Sequence, residues 1–188
     1  MQVEKFLSAL ENGFEFCDVV LGWDSNDKLY ESDVTITGWH TGYSDAPVRI
    51  VPESCRELPL EKNTLLFVGE FKGKAEQVCP RGLLKRMVKK AAGMGFTAKM
   101  ACEFEFFIFN ETADTIREKG YQNLKSISPG FFGYSMLRNS EFHEFYEEML
   151  ELCKTMDFPL EGLHTETGAG VLEAAICYDD ILTAADQG

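Results

Sequence analysis

What is missing from this sequence narrows it first. There is no Cys-x-x-Cys pair: six cysteines, Cys17, Cys55, Cys79, Cys102, Cys153 and Cys177, are scattered singly among only three histidines. That lack of ligand spacing argues against a zinc site. Basic residues are few, 18 against 31 acids, for a formal net charge of −13. Phosphate backbones are held by basic patches, so nucleic acid is not expected as a partner. The plain role of the acidity is solubility. No apolar run approaches the ~18 residues of a membrane span, so no membrane partner is expected. The first ten residues are polar and amphipathic rather than a secretion signal. Unpaired thiols then read most economically as a reducing, cytoplasmic setting. Internal repeats and low-complexity tracts are absent as well.

What is present suffices for a core. The chain has 188 residues, 45% of them hydrophobic and 12% aromatic, enough for one medium domain or two small ones. Residues 3–10 read as a short helix with Phe6, Leu7 and Leu10 on one face. Residues 14–23 alternate as a strand, Asp24-Ser-Asn-Asp27 is a turn cluster, and residues 29–36 are a second strand, so the spacing predicts a hairpin. Residues 38–47 are a polar loop, 48–51 and 65–71 short strands, and 52–63 an irregular connection. The charged segment 72–77 is then the boundary between a β-rich domain, residues 1–75, and a second domain, residues 76–188. Pro80 opens a helix at the first-turn position that favours proline. Its apolar stripe is Leu83, Leu84, Met87, Val88 and Ala91, its other face is basic, and Gly93 and Gly95 end it. A weak helix spans 112–120, and 127–137 reads as an aromatic, glycine-rich loop. Asn139 or Ser140 caps a long amphipathic helix carrying Phe142, Phe145, Tyr146, Met149 and Leu152 on one face. Strands at 160–165 and 171–178 follow, then a helix from Asp179-Asp180. The fold class predicted is α+β.

Within this frame one strand stands out, Ala101-Cys-Glu-Phe-Glu-Phe-Phe-Ile-Phe109. Alternation puts Glu103 and Glu105 on the same face, roughly 7 Å apart. A lone glutamate of this kind usually meets a lysine. Two inside an aromatic strand are costly to keep together without positive charge. A second pair, Glu166 and Glu173, occurs in His164-Thr-Glu-Thr-Gly-Ala-Gly-Val-Leu-Glu173, where the glycines permit a reversal that brings the two together. Four carboxylates on two apolar strands suit hard, oxygen-liganded cations, Mg²⁺ or Mn²⁺.

These residues carry a resemblance. Cys102-Glu-Phe-Glu-Phe-Phe107 resembles the glutamate strand of glutamine synthetases, and the segment from His164 to Glu173 is similar to their His-x-Glu-x-Gly-Pro-Gly-Gln-Tyr-Glu motif. Pro80-Arg81 before a helix, and Trp39 to Asp45 ahead of two strands, fit the same family. The resemblance implies a small N-terminal β-grasp domain followed by the opening half of the catalytic α+β domain. It implies an ATP-dependent ligase in which glutamate is activated as γ-glutamyl phosphate and ammonia or an amine displaces the phosphate. Residue by residue it implies Glu105, Glu166 and Glu173 as ligands of a first Mg²⁺ or Mn²⁺ and Glu103 as a ligand of a second. Glu161 then contacts ATP, His164 approaches its phosphates, and Tyr134 with Glu166 forms the ammonium pocket. It also implies a ring oligomer of stacked hexamers, with the Trp39 to Asp45 loop of one subunit near a neighbour's Glu166.

The sequence departs from the family in two places. Val171-Leu172 and Ala169 replace Gln-Tyr and Pro, and the Asp-Gly-Ser-Ser segment that activates ammonia is replaced by Glu31-Ser-Asp-Val-Thr-Ile-Thr-Gly-Trp39, with Asp33 out of frame. These changes favour a larger amine over ammonia. The 188 residues stop before the family's later elements, so this chain alone is expected to be inactive. A non-catalytic structural or regulatory member of the family is the alternative.

Overall fold

The structure, a computed structural model, describes residues 1–30 and 35–188. Residues 31–34, with Asp33 and the middle of the expected second strand, lie outside the described residues. The chain forms two compact units, Met1–Ala98 and Lys99–Gly188.

In the first unit, helix α1 (Val3–Asn12) lies against a three-stranded antiparallel sheet in the order β1 (Phe14–Cys17), β2 (Asp45–Glu57), β3 (Leu65–Phe71). Phe6 of α1 meets Phe67 of β3 with ring centroids 5.0 Å apart. Among the described residues the expected hairpin of 14–23 with 29–36 is replaced by a single bridge, Trp23 to Leu29. The strand stops at Cys17 because Asp18 turns inward: Asp18–Leu21 is a 3₁₀ turn, and the buried Asp18 carboxylate accepts a 2.7 Å hydrogen bond from the Thr37 hydroxyl. A buried carboxylate needs such a partner. β1 pairs instead with β2, which is far longer than its apolar run. The register between β2 and β3 shifts between Val51 and Arg56. Ser54 fills that irregularity, donating to Val51 O at 2.6 Å and accepting from Val68 N–H at 2.7 Å, so ladder groups displaced by the bulge stay satisfied. Helix α2 (Pro80–Gly93) begins at its proline as expected.

In the second unit the central strand is β7 (Val171–Ile176), flanked by β5 (Glu103–Phe107) and β6 (Leu160–Thr165), all antiparallel. A two-residue ladder joins β4 (Lys99–Met100) to β8 (Asp179–Asp180). The helices are α3 (Ala113–Glu118), α4 (Met136–Asn139), α5 (His143–Thr155) and α6 (Ile181–Gln187). Thr112 and Asp180 cap α3 and α6 with their side chains. Two expectations fail around residue 139. The end of the supposed loop is the short helix α4, capped by Ser135, and neither Asn139 nor Ser140 caps α5. Both side chains are used elsewhere: Asn139 Oδ1 accepts from the Thr165 hydroxyl at 3.1 Å, and the Ser140 hydroxyl donates to Leu137 O at 2.8 Å. The core gathers on β7, where Val171, Leu172, Ala174 and Ile176 are all buried. Among the described residues no helix is long and apolar enough to cross a membrane.

Candidate active site

Strand register builds the site. Glu105 on β5 stands directly opposite Glu173 on β7, and Glu173 stands directly opposite His164 on β6. Side chains at paired positions share a face, so glutamate, glutamate and histidine form one row across three strands. Glu103 lies on the same face one step along, opposite Ala175. Like charges placed opposite each other destabilise a sheet. Glu166 follows β6 and closes on the row: His164 Nδ1 is 3.9 Å from Glu166 Oε1, and His164 Nε2 is 3.9 Å from Glu173 Oε1. One ligand atom each from His164, Glu166 and Glu173 lie within 4.8 Å of one another. The carboxylates of Glu166 and Glu173 at that spacing, with Glu105 opposite Glu173, could hold a hard divalent cation, and the His164 imidazole beside them is a softer donor.

Tyr134 brings a phenol to this row, and the Thr167 hydroxyl donates to Glu166 Oε2 at 3.3 Å. Its O–H donates to Glu166 Oε1 at 2.5 Å, and its ring packs edge-on against His164 with centroids 5.5 Å apart. That hydrogen bond, with Thr167 N–H donating to the other oxygen at 2.9 Å, holds the Glu166 carboxyl below its ordinary pKa. The same bond pushes the Tyr134 hydroxyl up, reinforced by the charges of Glu166, Glu173 and Glu105. Both groups are therefore fixed in one protonation state near neutral pH, phenol and carboxylate.

The residues that hold this arrangement were not singled out from sequence. Ser128 is buried and accepts from Gly170 N–H at 2.6 Å while donating to Gly130 O at 2.8 Å, tying the reversal before Glu173 to the loop before Tyr134. Gly170 has φ +72°, and a Cβ there would fall 2.2 Å from Ser126 Oγ and 2.8 Å from Ile108 O. Only glycine fits. Thr165, also buried, bonds to Gly133 O and to Asn139, which anchors the loop carrying Tyr134 to the end of β6. Serine and threonine flanking a glycine-rich loop were the available signal, but it is too common to single them out.

Other expected residues fall outside the row. Glu161 is exposed and occupies the extra position where the β6–β7 register shifts between Leu160 and Gly162. Val171 and Leu172, whose place in the motif favoured a larger amine, are 1% and 4% exposed. They are core and present no surface to a ligand. Trp39, in the other unit, packs edge-on with Tyr43 at 5.2 Å and is 82% exposed, so it is not a core residue of that unit.

Residues 77–188 match the glutamine synthetase catalytic domain. Over 186 residues the chain is 41% identical to type-1 glutamine synthetase 2 of Dictyostelium discoideum, covering 97% of this chain and 35% of that protein. It is 29% identical over 190 residues to glutamate–isopropylamine ligase of a Pseudomonas species, covering 98% of this chain and 41% of the relative. The chain thus spans less than half the length of these relatives. Its fold superposes on the ligand-free structure of GmaS with a TM-score of 0.67 at 18% identity, over 100% of this chain and 40% of that one. The α+β architecture is the one shared by those structures, and on the sequence match this chain belongs to the glutamine synthetase family.

Proposed function

We propose that the intact protein is an ATP-dependent ligase joining the γ-carboxylate of glutamate to an amine. The observation that carries this reading is the row Glu105, Glu173 and His164 with Glu166 held beside it by Tyr134. Glu105, Glu166 and Glu173 would hold one Mg²⁺ or Mn²⁺, with His164 at its edge, and Glu103 would contribute to a second. Bound there, the cations would neutralise phosphate oxygens as charge develops on them. The γ-phosphoryl group of ATP passes to a γ-carboxylate oxygen of glutamate, giving ADP and an acyl phosphate. The amine nitrogen then forms a bond to the carbonyl carbon, the bond from that carbon to the phosphate oxygen breaks, and inorganic phosphate leaves. An amine that arrives as its ammonium ion gives up one proton before its nitrogen attacks and a second as the amide forms, and both pass by way of a carboxylate to water. Glu166, kept ionised by the Tyr134 hydrogen bond, is the group suited to draw in the ammonium. Glu161 on its bulge and the His164 ring are assigned to ATP.

Residues 1–75 would be the N-terminal β-grasp domain and residues 76–188 part of the catalytic domain. The six free cysteines support a reducing, cytoplasmic setting. The exposed Trp39, packed edge-on against a half-buried Tyr43, supports assembly into a ring whose neighbouring subunits complete each site. The chain spans 35% and 41% of two relatives, so the activity is proposed for the intact protein, and residues 1–188 alone are expected to be inactive. Similarity to glutamate–isopropylamine ligase supports an amine larger than ammonia as acceptor. The test is phosphate release by the intact protein with ATP, glutamate, Mg²⁺ or Mn²⁺ and a panel of amines. Release that requires both glutamate and an amine is expected. No such release with any amine would instead support a non-catalytic member of the family.

A further inference from the structure

Beside the acid row runs a groove of about 480 Å³ that begins at Tyr134 and His164 and continues between α4, α5 and β6. Its apolar lining is Met136, Leu150 and Leu163, with Tyr146. Met136 is 85% exposed and Leu150 52% exposed. Large apolar side chains standing uncovered next to a polyanionic cluster mark a surface built to be covered. The Tyr146 hydroxyl, buried and without a hydrogen-bond partner among the described residues, adds an unspent polar atom to the same place.

Resting on the ligase reading, we propose that this groove is the acceptor subsite, and that it holds the uncharged alkyl substituent of a primary amine whose ammonium sits at Glu166. Three features select that occupant. The groove and the acid row share Tyr134 and His164, so one small molecule can place its head at Glu166 and its tail between Met136 and Leu150. The head is a cation, which the carboxylates of Glu166 and Glu173 attract. The tail meets Met136, Leu150 and Leu163 in a lining that also holds Asn139, Ser140, His143 and one acid, Glu147, and among the described residues includes neither lysine nor arginine, so a substituent bearing a carboxylate finds no fixed cation to pair with. Glutamate itself, with a second carboxylate and its own ammonium, does not suit such walls. Specificity thus comes from α4 and α5 rather than from Val171-Leu172.

The test uses the intact protein and straight-chain primary amines from methylamine to butylamine, alongside ammonia and γ-aminobutyrate. Each methylene that enters the groove should raise kcat/KM about three- to fourfold. γ-Aminobutyrate should fall well below butylamine. In Leu150→Asp and in Met136→Ala the ratio of kcat/KM for butylamine to that for ammonia should drop, by about tenfold or more in the aspartate variant. A flat chain-length profile, or an unchanged ratio in both variants, overturns the subsite while leaving the ligase reading intact. An altered oligomeric state in Leu150→Asp with an unchanged ratio also overturns it, and gives the groove to a second copy of the chain. If no amine supports turnover, the ligase reading fails, and NMR of methyl-labelled methionine decides the groove separately. Butylammonium chloride should then shift the Met136 methyl signal, and no shift at saturating concentration overturns the site.

Discussion

Glu70 and Glu173 both stand on β-strands among apolar neighbours, and they keep opposite company. Glu70, 2% exposed, is gripped by three cations: Lys72 at 2.7 Å, Arg81 at 2.5 Å and Lys85 at 3.1 Å. Burial alone would raise its pKa, but the hydrogen bonds from Lys72, Lys85 and Arg81 prevail and lower it to about 2. This cluster ties β3 to α2 and is finished as it stands. Glu173 instead faces a second glutamate across one strand gap and a histidine across the other. Among the described residues, the ion-pair partner of both Glu166 and Glu173 is His164, each at 3.9 Å. An acid with its counter-charge supplied by the fold is a fastening. Acids stacked together with a single imidazole leave room for a cation to complete them.

That contrast can be broken from either side. The largest effect is expected at Glu70→Ala, which strands three cations around an apolar strand and should cost roughly 3–5 kcal/mol in urea unfolding. Mn²⁺ affinity should stay at the wild-type value, and a parallel loss of metal binding would erase the distinction between the two sites. Next is acid titration. The folded pKa of Glu70 lies below its ordinary value of 4.5, so its stabilisation is complete above about pH 4.5 and drains away as the pH falls from there through 2. The loss over that window should be about 2–3 kcal/mol and absent in Glu70→Gln, as read by unfolding curves at stepped pH. From the other side, Glu105→Ala relieves a like-charge pair, so stability should hold or rise. Mn²⁺ binding by calorimetry should weaken, with a loss of ~2 kcal/mol in transition-state stabilisation in the intact protein. Unchanged metal affinity would remove Glu105 from the ligand set. Tyr134→Phe deletes the hydrogen bond on Glu166 and should lower kcat/KM for the amine about tenfold with little change in metal affinity. The smallest effect is Ser128→Ala, about 1 kcal/mol of stability, from losing its bond to Gly170 N–H. If that variant binds Mn²⁺ as well as wild type, the reversal before Glu173 needs no support from the loop.

Much of the second unit was legible in the sequence because its strands carry dense local signals. Residues 101–109 and 171–178 are short apolar runs bounded by polar residues, and β5 and β7 lie inside them. In the first unit, Pro80 marked the first turn of α2 for an equally local reason, its missing N–H and fixed φ. The rest of that unit was harder to read. Its alternating residues 14–23 looked like a strand throughout, and only burial of Asp18 against Thr37 explains why the strand ends at Cys17.

Which glutamates exist, and which pairs share a strand face, the sequence determined alone, since alternation is a property of the backbone. Register was decided only in three dimensions. Two antiparallel strands can pair at any offset that keeps the same faces buried, and the offset that sets Glu105 against Glu173 and His164 emerges from the packed sheet. The same holds for Val171 and Leu172. Their apolar character was plain in the sequence, but whether they lined a pocket or filled the core depended on what packed over them. In the folded sheet they are buried, and the exposed apolar wall beside the acids is contributed by Met136 and Leu150, on two helices separate in sequence from both carboxylate strands.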